Sequence, residues 1–143
     1  MQVSYSSNSR KTNFTEAETS NQPKVSITAP NGPFTLVMVD PDAGDKTPGL
    51  YYLHWLVVNI PPGGNLQEAT TVVDYRGPTP PAGTGQHHYH FILYQQTKGN
   101  LINGLSVRDR PNWSLDSFLS GKYLTEVARQ TIRVPPLKLN AMQ

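Results

Sequence analysis

Three apolar runs, separated by clusters of proline and glycine, constrain the fold of this chain more than any other feature of its sequence. The runs are FTLVMV at 34–39, YYLHWLVVN at 51–59 and HHYHFILYQQ at 87–96. Short runs of branched and aromatic residues are typical of β-strands. The segments DPDAGDKTPG at 40–49 and YRGPTPPAGTG at 75–85 cannot continue a strand, because proline has no N–H to donate and glycine favours turns. The pattern therefore predicts a β-rich fold with two prominent loops.

Weaker signals complete the predicted secondary structure. Short strands are predicted around Val3 and Tyr5, at 24–28 and at 69–73. Ser114 is a suitable N-cap for one short helix that begins at Leu115, with Gly121 as its stop signal. Residues 125–134 are compatible with a helix or a strand, and their alternation leads us to predict a strand. The last residues, 135–143, are predicted to be irregular.

Length, charge and cysteine content narrow the class of protein. The 143 residues contain no repeat and no linker-like segment, so we predict a single domain over 1–143. Twelve Lys and Arg against ten Asp and Glu leave a net charge of +2, too small for a protein that binds mainly nucleic-acid phosphates. The absence of cysteine excludes disulfides, thiolate metal sites and cysteine nucleophiles. Because no signal-like or membrane-spanning run is present, we expect a cytoplasmic location and at most peripheral membrane contact.

Strict alternation of side chains directs His54 into an apolar strand face. It places His54 on the same side as Tyr52, Leu56, Val58 and Ile60. A histidine in such a place is either a hydrogen-bonded core residue or a member of a binding site. The spacing leaves both interpretations open.

Three further residues extend the candidate site. His87 and Tyr89 share one strand face, whereas His88 and His90 point to the opposite side. Asp40 ends the central run, where its carboxylate would either pair with a histidine or cap the following loop. A cationic imidazole beside a phenol hydroxyl suits phosphate, and the proline-rich segment supplies rigid walls. We therefore predict a pocket for a small anionic group.

Two other kinds of chemistry are compatible with the same residues. Asp40 and His54 would serve as acid and base in a small hydrolase or lyase, although no motif supplies an activated nucleophile. His88 and His90 would bind a metal from one strand face, although no further ligand motif accompanies them. We favour a non-enzymatic binding protein without a metal or other cofactor.

Three segments occur in an order and approximate spacing that resemble a known family. They are VMVDPDA at 37–43, LHWLVVNIP at 53–61 and PPAGTGQHHYHFILYQQ at 80–96. Together they resemble the three conserved regions of the phosphatidylethanolamine-binding protein family, which includes kinase-inhibitor proteins of animals and flowering regulators of plants. The QVSY, WSLDSF and EVA segments agree more loosely.

The resemblance implies a fold, a site and a kind of activity. The fold is a central antiparallel sheet with a smaller flanking sheet and one or two short helices. Family members bind phosphate-like head groups, and they act mostly by binding and inhibiting partners, including kinases and some proteases. For this chain we expect a pocket that takes a phospholipid head group or a phosphorylated side chain. The ligand-binding residues carried over to this sequence are Asp40, Asp42, His54, Pro80, Pro81, His87 and Tyr89.

Two departures from the family pattern concern the mouth of the pocket. Gly44 and Asp45 follow Ala43 where the family commonly has proline, so we expect a flexible, acidic lip and weaker anion binding. His88 stands where the family has arginine, which replaces a permanent positive charge with a titratable one. The segment between the first two motifs is also short. Kinase inhibition therefore does not follow directly from the resemblance.

Overall fold

The computed structural model describes residues 1–6 and 10–137, and strands dominate it. The regular elements in chain order are β1 (Gln2–Ser4), β2 (Lys24–Ser26), β3 (Phe34–Asp40), β4 (Leu50–Ile60), β5 (Thr70–Val73), β6 (His87–Gln96), β7 (Trp113–Ser114), α1 (Leu115–Leu119) and β8 (Leu124–Val134). Two short 3-10 helices occupy Ala17–Thr19 and Leu66–Glu68. Part of the predicted irregular tail, 138–143, lies outside the described residues. Among those residues, no helix has the length and apolar character needed to cross a membrane.

One large antiparallel sheet organises the molecule. Its strands lie in the order β5-β4-β3-β6-β8, with β7 paired to the start of β4, while β1 and β2 form a separate small sheet. Every residue of β3 is buried, because this central strand is covered on both faces. The prediction of a mostly β fold with a large and a small antiparallel sheet is confirmed.

The predicted helix that begins at Leu115 and the predicted strand over 125–134 are also confirmed. Helix α1 begins at Leu115, where the Ser114 hydroxyl accepts a hydrogen bond from the Ser117 N–H (3.2 Å), and it ends shortly before Gly121, which has φ +73°. Strand β8 pairs antiparallel with β6 along its length. This pairing outweighs the helix propensity of the Glu, Ala, Arg and Gln residues in the segment.

Apolar side chains pack on both faces of the large sheet. One cluster joins β3, β4 and β6 to the small sheet and to Phe14 of the N-terminal arm. The other joins the opposite face of the same strands to Leu115 and Phe118 of α1. With both faces covered, only the ends of the strands and their loops remain free to form a site.

A β-bulge in β4 corrects the predicted direction of His54. Consecutive residues of β3 pair with Trp55 and Leu53, so His54 between them is an extra residue in its strand. The His54 ring contacts Tyr89 with ring centroids 5.1 Å apart, whereas Leu56 belongs to the cluster on the opposite face. The prediction that His54 and Leu56 share a face is wrong, because the bulge shifts the alternation by one residue.

Candidate functional site

A cavity of about 250 Å³ opens where β3 ends, where β6 begins and beside the bulge of β4. Its lining consists of Asp40, Ala43, Gly44, Tyr52, His54, Arg76, Thr79, Pro80, Pro81, His87 and Tyr89. The structure thus brings together six of the seven residues predicted for the site, all except Asp42. The volume lies just below the range of drug-sized ligand pockets, so it suits a small ligand.

A buried ion pair lies in the wall of this cavity. His87 Nδ1 is 2.7 Å from Asp40 Oδ2, and the two side chains are 2% and 4% exposed. On the other side of the ring, His87 Nε2 is 2.9 Å from the hydroxyl of Thr84, which donates to the Pro81 carbonyl. Thr84 has one hydroxyl hydrogen, so its oxygen accepts from His87 Nε2, while His87 Nδ1 shares a hydrogen with the Asp40 carboxylate. This is the hydrogen-bond geometry of an imidazolium paired with a carboxylate.

His54 is neutral at pH 7. Burial lowers the pKa of His54 to about 4, although the Arg76 carbonyl and the Asp40 charge both favour its protonated form. His54 Nδ1 is 2.7 Å from the Arg76 carbonyl oxygen. A carbonyl only accepts, so Nδ1 donates the hydrogen and Nε2 keeps a lone pair. Of the two histidines, only His87 lies beside a carboxylate, so it has the hydrogen-bond partner that a cationic imidazole requires.

The hydroxyl of Tyr89 is buried and lies near the Asp40 carboxylate, but it makes no hydrogen bond of normal geometry in the described part of the chain. Burial raises the pKa of Tyr89 above its ordinary value, and the charge of Asp40 raises it further. The Tyr89 ring packs edge-on against His54 and lies stacked near His87, with centroids 6.3 Å apart. An orphaned buried hydroxyl costs about 1–3 kcal/mol. This hydroxyl is available as a donor to a ligand.

Five residues of the lining are absent from the predicted site, and two of them, Arg76 and Tyr52, are hydrogen-bonded to each other. The exposed Arg76 reaches the cavity, and its guanidinium donates to the hydroxyl of Tyr52 (2.7 Å). Arg76 is the single basic residue of the 75–85 loop, and Tyr52 precedes His54 by two positions. Both residues are visible in the sequence, but no local sequence feature shows that the 75–85 loop packs against β4. Arg76 supplies a permanent positive charge at the site.

Asp42 anchors the loop after β3 and lies outside the cavity lining. Asp42 Oδ2 accepts from the backbone N–H of His88 (2.7 Å) and from its ring Nδ1 (2.9 Å), while the Asp42 N–H donates to Asp40 Oδ1 (2.7 Å). Partial burial opposes ionisation, but the hydrogen bonds from His88 prevail and lower the pKa of Asp42. Asp42 thus ties the loop to β6 and to the carboxylate of Asp40.

The geometry also bears on the two alternative chemistries. Asp40 is hydrogen-bonded to His87, and no hydrogen bond joins it to His54. On the other sheet face His88 is engaged by Asp42, and His90 Nδ1 lies 2.8 Å from Thr131 Oγ1. Within residues 1–6 and 10–137, no group of three or more His, Asp or Glu side chains is arranged to hold a metal ion.

Comparison with known proteins gives matches over most of the chain. The family model described as phosphatidylethanolamine-binding protein matches residues 4–138. A 26 kDa secreted antigen of Toxocara canis is 41% identical over 113 residues, which cover 73% of this chain and 43% of the relative. The carboxypeptidase Y inhibitor of Saccharomyces cerevisiae is 35% identical over 111 residues, 62% of this chain and 49% of the relative. The chain spans about half the length of these curated relatives.

A solved structure shares the fold. The carboxypeptidase Y inhibitor complexed with its cognate proteinase superposes with a TM-score of 0.77, over 95% of this chain and 82% of that chain. The sequence identity in this superposition is 23%, so the likeness shows the common fold alone.

Proposed function

Because the chain belongs to the phosphatidylethanolamine-binding protein family, we propose that its cavity binds a small phosphate-like group, carried by a lipid head group or a phosphorylated side chain. The observation that carries the proposal is the buried Tyr89 hydroxyl, which lacks a partner among the described residues and lines the same cavity as Arg76. A bound oxyanion would accept from that hydroxyl and pair with the guanidinium.

Each cavity group has its own part in this proposal. Arg76 contributes permanent charge, and Tyr89 contributes a neutral donor. His54 Nε2 lacks a hydrogen in the free protein, so it takes up a proton when the anion arrives and then donates to it. The ion pair of Asp40 and His87 is already satisfied internally and gives the site a fixed wall.

Titration with inorganic phosphate, followed through the ring NMR signals of His54 and His87, tests the proposal. We expect both signals to shift at millimolar phosphate. The matched control is His90→Gln, which should bind normally because His90 lies on the other sheet face and contacts Thr131. Unchanged His54 and His87 signals at millimolar phosphate would argue against the proposal.

We expect sulfate to bind more tightly as the pH falls from about 8 to about 5, where sulfate itself does not titrate. Free His54, with a pKa of about 4, is neutral throughout this range, whereas His54 that donates to a bound anion is protonated. One proton therefore enters with each anion, and the association constant rises by up to about tenfold per pH unit. Calorimetry at several pH values measures this slope. His54→Gln should abolish it, and a flat profile in the unaltered protein would contradict the proton uptake.

Replacement Tyr89→Phe should act on stability and on binding in opposite directions. It removes an orphaned buried hydroxyl, so the free energy of unfolding should rise by about 1 kcal/mol, while sulfate affinity falls several-fold. Denaturation by urea and calorimetry measure the two effects. The control is Tyr75→Phe, which should destabilise the protein because the Tyr75 hydroxyl donates to the Thr19 carbonyl (2.7 Å). A Tyr89→Phe variant that binds sulfate normally would remove Tyr89 from the site.

We also propose that the chain acts by binding and not by catalysis. The acid and base of the alternative hydrolase, Asp40 and His54, are each bonded to another group. A screen with phosphate and carboxylic ester substrates tests this proposal. Turnover that disappears in His54→Ala would favour the hydrolase instead.

A protein partner, either a protease or a kinase, is the second part of the proposal. The similarity to a carboxypeptidase Y inhibitor favours a protease. The exposed loops 41–49 and 75–86 at the cavity mouth are the proposed recognition surface. An assay of carboxypeptidase Y with added protein should show inhibition that is lost when these loops are exchanged for glycine-serine segments. A cytoplasmic location is a further proposal, which cell fractionation would test.

A further inference from the structure

The bulge that turns His54 toward the cavity is held by hydrogen bonds from outside the strand pair. The Leu53 N–H donates to the Arg110 carbonyl (2.9 Å), and the His54 carbonyl accepts from the Arg76 N–H (3.0 Å). Strand β5 ends at Val73, so the regular ladder between β4 and β5 does not extend to this point. The bulge therefore needs other donors for its carbonyl groups.

The side chain of Arg110 supplies those donors. Its Nη1 lies 2.9 Å from the His54 carbonyl oxygen and 3.2 Å from that of Leu53, while Nη2 lies 2.7 Å from the carbonyl oxygen of Asp74. The half-buried guanidinium thus joins three backbone carbonyls on two segments. No carboxylate of the described residues forms an ion pair with it, and it does not line the cavity.

We infer that Arg110 is a positioning residue for the anion cavity. Its guanidinium joins the β4 bulge to the chain just before Arg76, so that one side chain orients both His54 and Arg76. These two residues are also linked directly, since His54 Nδ1 donates to the Arg76 carbonyl. The role in ligand binding rests on the proposed function of the cavity, whereas the positioning of the two segments does not.

The planar geometry of arginine is what this role requires. A guanidinium presents several N–H donors in a fixed fork, which matches carbonyls that belong to separate segments. A lysine ammonium keeps the charge but is a compact point that cannot reproduce the fork. The substitution Arg110→Lys therefore separates geometry from charge.

The test compares Arg110→Lys with Arg108→Lys, a matched control in which the altered side chain is 97% exposed. In Arg110→Lys we expect sulfate affinity to fall at least about tenfold and its pH slope to flatten, because His54 no longer faces the anion. The Arg76 amide should also exchange its hydrogen at least about tenfold faster, because its acceptor on the bulge moves. Arg108→Lys should match the unaltered protein in all three readouts.

Each result has one meaning. If the unaltered protein does not bind sulfate, the proposed function fails, and the exchange of the Arg76 amide still tests the positioning. Normal exchange together with normal sulfate binding in Arg110→Lys would overturn the inference. If Arg110→Lys and Arg110→Gln both fail to fold, Arg110 is required for the fold as a whole, and the inference of a local positioning role is likewise overturned.

Discussion

Asp40→Ala is expected to lower the free energy of unfolding by about 3–5 kcal/mol, one of the two largest effects we predict. The substitution leaves the His87 imidazolium almost fully buried without its carboxylate. It also removes the acceptor of the Asp42 N–H, which anchors the loop after β3. Urea denaturation at pH 7, followed by tryptophan fluorescence, measures the loss.

The matched control for this prediction is Asp45→Ala. The Asp45 carboxylate is exposed and bonds only to Thr47 within its own loop, so the expected change is about 0.5 kcal/mol or less. Adding His87→Phe to Asp40→Ala should recover much of the loss, because the unpaired charge disappears as well. A loss below about 1 kcal/mol for Asp40→Ala would show that the pair is not an imidazolium and a carboxylate.

Gln96→Met is expected to cost about 3 kcal/mol or more, because it orphans several buried groups at once. Gln96 Oε1 accepts from the Thr35 hydroxyl (2.8 Å) and from the Asn59 N–H (2.9 Å). Gln96 Nε2 donates to Asn59 Oδ1 (2.9 Å) and to the Gly99 carbonyl (3.0 Å). Methionine has a similar shape but makes none of these bonds. Urea denaturation again measures the change.

The control is Gln95→Met. The Gln95 side chain makes no hydrogen bond among the described residues, and it points to the other side of β6 from Gln96. Its expected cost is about 0.5 kcal/mol or less. Equal losses for the two variants would mean that the polar network around Gln96 contributes little.

The predictions for Gln96 and Arg110 concern the two irregular points of β4. Near its end, Asn59 adopts φ +58° and is held by Gln96. At the bulge, the carbonyls of Leu53 and His54 are held by Arg110. Polar side chains from distant segments thus set the path of the strand that carries His54. The position of His54 in the cavity depends on this path.

Several features were predictable because they depend on local sequence. Strand runs alternate or stay apolar within a few residues, and proline and glycine end them, so the strands and the Ser114 helix cap were found. The contiguous motifs at 37–43, 53–61 and 80–96 likewise led to the family, and they contain seven residues of the cavity lining.

Tertiary structure alone decided the direction of His54, the presence of Arg76 in the cavity and the different hydrogen-bond partners of the two histidines. A bulge arises from pairing with another strand, and strict alternation within β4 gives no sign of it. The charge of an imidazole depends on its burial and on the atoms that its two nitrogens meet. Those atoms belong to Asp40 and Thr84 for His87 and to Arg76 for His54, and only folding brings them within bonding distance. The sequence determined which ionisable groups are available to the cavity, and the folded environment determined the hydrogen-bond partners and the burial of each.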